Sequence, residues 1–432
     1  MSPTEIIDTF ESLKCVCDVF SLPYRLIGMY MPPSADANDT NASPMRCLWV
    51  LMFGAFAMGN AKFSIFPLVP AIAADLNSSP SEILHAVFAY LWGGLIAAPI
   101  MAIAFRNWSK PRILTLLSVW CFLGNLLTSF ATSADMLYWL RWFSGIPHAA
   151  FLAFSTLLIA EIAPPNKRGR YLGLSLVGIS LSTLFVVPFN TWIGLDYGWQ
   201  ISFRFVALLD LLIFLLIHDL LPQNRTPAVK QTISMQLHAL RNRRLWLLFA
   251  VGLCILISTS AAWTYSIAWF NLHPHPSLNL RILVLIILGI GFIVGQIAGG
   301  WAADHQMDRY IGFNTLYTMF AAVFALSFLF DYRLGLVGVF LISIAFSLVN
   351  VMMQIRLLEY PPAALYMVLC LFNACIQLGN FSGSALAKFA AQNFNTPTTT
   401  LSILLAALAA TAAILWFWII KHPTSPQKQQ SS

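Results

Sequence analysis

Twelve long apolar stretches lie between Leu48 and Ile420, separated by short polar breaks, and they leave this chain few ways to fold. A helix rises about 1.5 Å per residue, so about 20 apolar residues cross the hydrocarbon layer of a bilayer. A soluble domain has no use for a dozen such segments. Within lipid, each backbone N–H and C=O must find its partner inside the protein, which continuous helices achieve. The pattern therefore predicts an all-α polytopic membrane protein with spans 1 to 12 at 47–71, 83–105, 112–131, 136–160, 172–194, 201–221, 245–271, 282–303, 313–331, 334–358, 365–388 and 400–420.

Charge placement gives the orientation. Only 9% of residues are charged, against 59% hydrophobic, and the net charge is +7. That excess does not indicate a nucleic-acid partner, because the cations are confined to particular loops. Arg106, Lys110 and Arg112 follow span 2; Lys167, Arg168 and Arg170 follow span 4; Arg225, Lys230, Arg241, Arg243 and Arg244 follow span 6. The loops after spans 1, 3 and 5 carry no Lys or Arg. This alternation places both termini and the central loop in the cytoplasm. The second half follows it less closely: Arg309 falls inside, but Arg281 and Arg333 fall outside.

The longest internal polar stretch is the basic segment 222–244, which divides the spans six and six. The expected organisation is a cytoplasmic tail (1–44), a six-helix bundle (45–221), a basic linker (222–244), a second six-helix bundle (245–421) and a short tail (422–432). Two such bundles predict a pseudo-twofold arrangement with a site at midplane between them. Residues 1–44 read either as a cytoplasmic tail or as sequence ahead of a later start at Met31 or Met45; they lack the pattern of a cleaved signal peptide. Glycosylation acceptors at Asn38 and Asn41 would be inert on such a tail. Cys15, Cys17, Cys47, Cys121, Cys254, Cys370 and Cys375 form no CxxC pair and read as apolar filler. No metal or cofactor site is expected, and no nucleophile–base pair points to an enzyme.

Polar residues within spans are costly and usually face a cavity or another helix. In span 4, Arg141, Gly145 and His148 stand at i, i+4 and i+7 on one helix face. They suit a cavity wall, although Arg141 could instead snorkel to the interface and His148 could make a structural hydrogen bond. Span 1 places Asn60 and Lys62 near its centre; Lys62 needs a partner such as Asp210, or contact with a solute or coupling ion. Asp210 in span 6 reads as a proton carrier or as the partner of a cation or hydroxyl. Asn373, Gln377 and Asn380 repeat the i, i+4, i+7 spacing in span 11, as a wetted face or as hydrogen-bonding glue between helices. Gln354 and Asn350 in span 10, and Trp263 and Tyr265 in span 7, could face the same space, with the aromatic rings either stacking on a sugar or packing. Small residues in spans 5 and 8 (Gly173, Gly178, Gly289, Gly291, Gly295, Gly299 and Gly300) permit close helix approach, and Pro188 is placed to kink span 5.

Several of these positions fall in ordered motifs. They include Gly54-Ala-Phe-Ala-Met-Gly-Asn in span 1, Tyr90…Gly93…Ala98-Pro99 in span 2 and Arg141…Ser144-Gly145-Ile-Pro-His148 in span 4. Others are Pro164-Pro165-Asn-Lys-Arg-Gly169, Pro188…Thr191-Trp192-Ile-Gly194, Gly299-Gly300-Trp-Ala-Ala-Asp304 and Phe372-Asn373…Gln377-Leu-Gly379. In this order the chain resembles the major facilitator superfamily, within it the drug:proton antiporter-1-like efflux group that contains the bacterial arabinose and sugar efflux proteins. The resemblance implies a monomeric multi-pass protein of the bacterial cytoplasmic membrane that exports a small solute by alternating access, driven by protons. It assigns Arg141 to proton transfer, and Gly300 to Asp304 with Arg309 to a latch on the cytoplasmic side. His148 would share proton coupling, while Tyr90, Asn373 and Gln377 would contact solute.

Two departures qualify that expectation. Many relatives have an acid in span 1 where this chain has Lys62; the reversed charge departs from the usual coupling chemistry and favours an anionic substrate. The first-half loop, Ala104-Phe-Arg106-Asn-Trp-Ser-Lys110, lacks its acid, so its latch is expected to be weaker or built from Arg106 and backbone carbonyls. Export of a neutral solute such as a sugar is the leading expectation. The alternatives are export of amphiphilic drugs or organic anions, and a transporter-like sensor that moves nothing.

Overall fold

The computed structural model describes residues 44–221, 232–272, 278–305, 332–393 and 397–421. Every regular element among them is helical. Ten helices among the described residues are long and apolar enough to cross a membrane. They run Pro44–Phe63, Pro80–Ala104, Lys110–Thr128, Ala134–Ile162, Arg168–Leu181 with its continuation Val187–Asp196, Trp199–Leu220, Arg243–Leu272, Leu278–Asp304, Tyr332–Leu357 and Leu365–Asn393. A further helix, Pro397–Lys421, occupies the position of span 12. Span 9 and Arg309 lie outside the described residues.

Local chemistry sets the ends and the breaks. Ser79 caps span 2 through a reciprocal capping box with Glu82, and Pro80 fills the first turn, where its missing N–H costs nothing. Ser133 caps span 4 by accepting from Met136 N. Span 1 does not continue straight to residue 71. It ends at Phe63, passes through a 3-10 turn at Phe66–Leu68 and resumes as Val69–Asp75. Pro67 and Pro70 each remove an i→i−4 donor there, which explains the break. In span 5 the helix widens to a π turn at Ser182–Val186, with Val187 N–H reaching back to Ser182 O. Pro188 follows directly and cannot donate to Leu184, so the extra residue absorbs the misfit.

The segment expected as a plain linker contains structure. Ile233–Ala239 is a short helix capped by Thr232, and its buried Gln236 donates to the Ala102 carbonyl at 3.3 Å. It therefore docks on the end of span 2. Successive spans alternate in direction, so this helix shares one end of the molecule with the loops bearing Arg106, Lys110, Lys167, Arg168 and Arg170, here termed the basic end.

Span 4 is nearly enclosed, packed against spans 2, 3 and 11, whereas span 6 turns Leu208, Leu212 and Leu215 outward. Ile96 and Ile100 of span 2 are also exposed, as a surface bathed in lipid tails requires. Between the two halves of the sequence, span 5 packs on span 8 and span 2 on span 11.

Candidate functional site

Tyr90 of span 2 is the centre of a buried polar cluster. Gly145 allows span 4 to approach so closely that a Cβ there would overlap the Tyr90 backbone, and no other residue leaves that space. The approach brings His148 Nδ1 within 3.0 Å of the Tyr90 hydroxyl. It also sets the Arg141 guanidinium 4.3 Å from the Tyr90 ring centre and 5.5 Å from that of Phe203. Arg141 is 0% exposed, so it does not snorkel to the interface. Two of its nitrogens donate to the Ala61 carbonyl, both at 3.2 Å. That carbonyl lies in the last turn before the Pro67 break, where helix carbonyls lose their i+4 amides. The proline break of span 1 thus creates the acceptor that holds Arg141.

The next residue, Lys62, is half-buried and reaches across to span 11. Its Nζ donates to Gln377 Oε1 at 3.4 Å and lies 5.2 Å from the Phe63 ring centre. It does not meet Asp210. The Asp210 carboxylate accepts instead from Asn125 Nδ2 of span 3 at 2.7 Å, within the first half. Asp210 Oδ1 and Asn125 Oδ1 are buried and make no hydrogen bond. Asn125 is a partner that the sequence alone did not single out, although an amide inside an apolar run was a visible signal. Asn60, two residues before Lys62 in the chain, is buried and accepts from Ser64 Oγ at 2.6 Å.

The span 11 stripe divides its work. Gln377 crosses to Lys62, while Asn373 turns back on its own helix and donates to the Leu369 carbonyl at 3.0 Å. The Asn380 carbonyl accepts from Ser260 Oγ, and Ser384 pairs with Thr264, so the far part of the stripe binds span 7. Gln354 accepts from Thr156 Oγ1 at 2.7 Å and donates to Asn350, linking spans 10 and 4 away from Lys62. Trp263 lies with its ring centre 5.9 Å from that of Phe63 and 5.4 Å from that of Phe292. Tyr265 instead packs with Ala261, Ile342, Ala387 and Leu405. Tyr90, Arg141, His148, Lys62 and Gln377 therefore gather near one another, with Trp263 beyond the Phe63 ring. Asp210 borders the cluster, within electrostatic reach of Tyr90, whereas Gln354 and Tyr265 do not join it.

An open cavity of about 790 Å³ lies at the end opposite the basic loops, between the starts of spans 2 and 4 and Phe381. Glu82, His85, Asp135, Tyr138 and Trp139 line its mouth. Phe381 packs against Phe88 and Trp92 at centroid distances of 5.2 and 5.1 Å. Behind that aromatic layer a narrow void is bounded by Leu91, Leu95 and Gln377. Trp92 and Phe381 border both this void and the open cavity.

Contacts also close the basic end. Asp304 at the end of span 8 accepts from the backbone N–H groups of Gly169, at 2.6 Å, and Arg170, at 3.1 Å. Its carboxylate thereby caps the N-terminus of span 5, where the helix dipole favours negative charge. Gly169 and Gly300 permit the approach, since a Cβ on either would overlap the other's backbone. The first-half loop is held differently from the expectation. Among the described residues, Arg106 bonds only the Ile103 carbonyl of its own helix end. Lys110 pairs with Glu161 at 2.5 Å and lies 5.3 Å from the ring centre of Tyr366, across on span 11. The Tyr366 hydroxyl donates to the Trp108 carbonyl at 3.4 Å. No group of acids, histidines and cysteines among the described residues could hold a metal ion.

Comparisons with known proteins agree with this architecture. A family model described as Major Facilitator Superfamily matches residues 51–366. An uncharacterized MFS-type transporter of Bacillus subtilis, YtbD, is 26% identical over 81% of this chain and 90% of its own length. A probable sugar efflux transporter of Mannheimia succiniciproducens is 24% identical over 85% of this chain and 92% of its own. Among solved structures, the proton:xylose symporter XylE superposes with a TM-score of 0.70 at 17% identity, covering 88% of this chain and 95% of that one.

Proposed function

This chain belongs to the major facilitator superfamily, and on that premise we propose that it exports a small polar solute such as a sugar, coupled to protons, across a bacterial cytoplasmic membrane. The carrying observation is the contact from Lys62 in span 1 to Gln377 in span 11, 315 residues apart in sequence and beside the Tyr90, Arg141 and His148 cluster. A solute bound there touches both halves, 45–221 and 245–421, and can couple their rocking to its own passage. Arg141 and His148 carry the proton step, and Gln377 with Asn373 contacts the solute. Asp304 and the Lys110, Glu161 and Tyr366 group hold the basic end shut until that rocking occurs, as a monomer with both termini in the cytoplasm. The family resemblance and the Mannheimia sugar efflux relative support sugar as the solute. The likeness to XylE, a proton:xylose symporter, supports protons as the driving ion.

A cross-link tests the rocking motion. Cysteines at Trp108 and Tyr366, bridged by a reducible bifunctional thiol reagent, should stop solute flux in proteoliposomes, and reduction should restore it. Undiminished flux through the bridged protein would refute alternating access about this interface.

A further inference from the structure

The groups around Lys62 offer more hydrogen-bond donors than acceptors. The Lys62 ammonium carries three N–H donors and meets a single neutral amide oxygen, at the long distance of 3.4 Å. Among the described residues no carboxylate lies within salt-bridge distance of it. Trp263 Nε1, beyond the Phe63 ring, is a buried donor without a hydrogen bond. Arg141 stands one helix away with its Nε likewise unbonded. Of the unbonded acceptors, Asp210 Oδ1 and Asn125 Oδ1 belong to residues paired with each other between spans 3 and 6.

A partly buried ammonium without a counter-ion, flanked by unused donors, is an unfavourable arrangement unless something supplies negative charge. Lys62 also sits at the junction of the halves rather than inside one of them, where the transported solute must pass. Resting on the transporter reading above, we propose that the solute carries a carboxylate: a hydroxylated acid, of the sugar-acid class, whose carboxylate docks on Lys62 while Gln377 meets its hydroxyls. The amide can donate to and accept from a hydroxyl, which a lone cation cannot. Glu82 and Asp135 lie at the distant mouth of the open cavity, and Glu82 is already bound to Ser79 N, so neither neutralises Lys62.

The test compares solutes that differ chiefly in charge. Gluconate, glucuronate, glucose and glucosamine would be titrated against the purified full-length protein by calorimetry, then offered for counterflow in proteoliposomes. Gluconate or glucuronate should bind on the order of tenfold to hundredfold more tightly than glucose, the range of a charge-assisted hydrogen bond. Lys62→Met should bring that affinity down to the level of glucose, and Lys62→Arg should recover part of it. Binding of both acids that is unchanged in Lys62→Met would overturn the proposal. Counterflow of glucose with both acids inert would overturn the charge assignment and leave the transporter reading standing. Neither binding nor movement of any of the four would overturn both.

Discussion

The guanidinium of Arg141 closes on the carbonyl oxygen of Ala61 with two hydrogen bonds of 3.2 Å, tying span 4 to the broken end of span 1. The pair is wholly buried, and Tyr90 lies beneath the guanidinium plane. Arg141→Ala would leave the Ala61 carbonyl unsatisfied, at a cost of about 1–3 kcal/mol. Arg141→Lys should fall between, since an ammonium lacks the planar fork and stacks less well. Thermal unfolding of the purified variants should therefore rank wild type above Lys above Ala. Equal midpoints would mean that Arg141 turns to lipid instead.

Asp304→Asn removes the charge that caps span 5 while keeping the side-chain shape. A charge at a helix N-terminus contributes about 0.3–1 kcal/mol when exposed and up to about 2 when partly buried. The population open at the basic end should rise roughly fivefold to thirtyfold for a loss of 1–2 kcal/mol. Labelling rates of a cysteine placed at Gly300 are unsuitable, because that position is packed against Gly169. A cysteine at Ala303, half-buried beside Gly169 across the seam, serves instead, and an unchanged labelling rate would show that Asp304 does not hold the end shut.

Lys110 and Tyr366 should couple across the halves. A double-mutant cycle on Lys110→Met and Tyr366→Leu should give an interaction of about 0.5–1 kcal/mol. Tyr366→Phe should keep the ring contact and lose only the bond to the Trp108 carbonyl. Additive effects in the cycle would remove this contact from the closure of the basic end.

Asn125 and Asp210 form a pair within the first half. Asn125→Leu strands a buried carboxyl group and should destabilise the protein by about 1–3 kcal/mol. The double variant Asn125→Leu, Asp210→Leu should be more stable than the single one, because replacing both partners avoids an orphaned polar group. A double variant worse than the single would indicate that Asp210 has a further partner.

The spans were legible because lipid leaves the backbone no alternative to long apolar helices, and their ends followed from caps such as Ser79 and Ser133. The break after Phe63 was foreshadowed by Pro67 and Pro70, yet the apolar run continues across them and hides it. Partners were another matter. Lys62 meets Gln377 rather than Asp210 because helix rotation and depth decide which polar groups coincide, and hydrophobicity carries neither. Asn125 escaped notice for the same reason: one amide in an apolar run does not reveal which neighbouring helix it faces. The three amides of span 11 share one spacing, but Asn373 bonds its own backbone while Gln377 crosses the interface.

The most direct measurement is proton movement and tracer flux together, in proteoliposomes carrying the full chain and an internal pH dye. A solute gradient of a sugar or sugar acid should drive an internal pH change that appears only with the protein present and is weakened in Arg141→Lys. Tracer flux with no accompanying pH change would contradict proton coupling, and the absence of both would contradict the account as a whole.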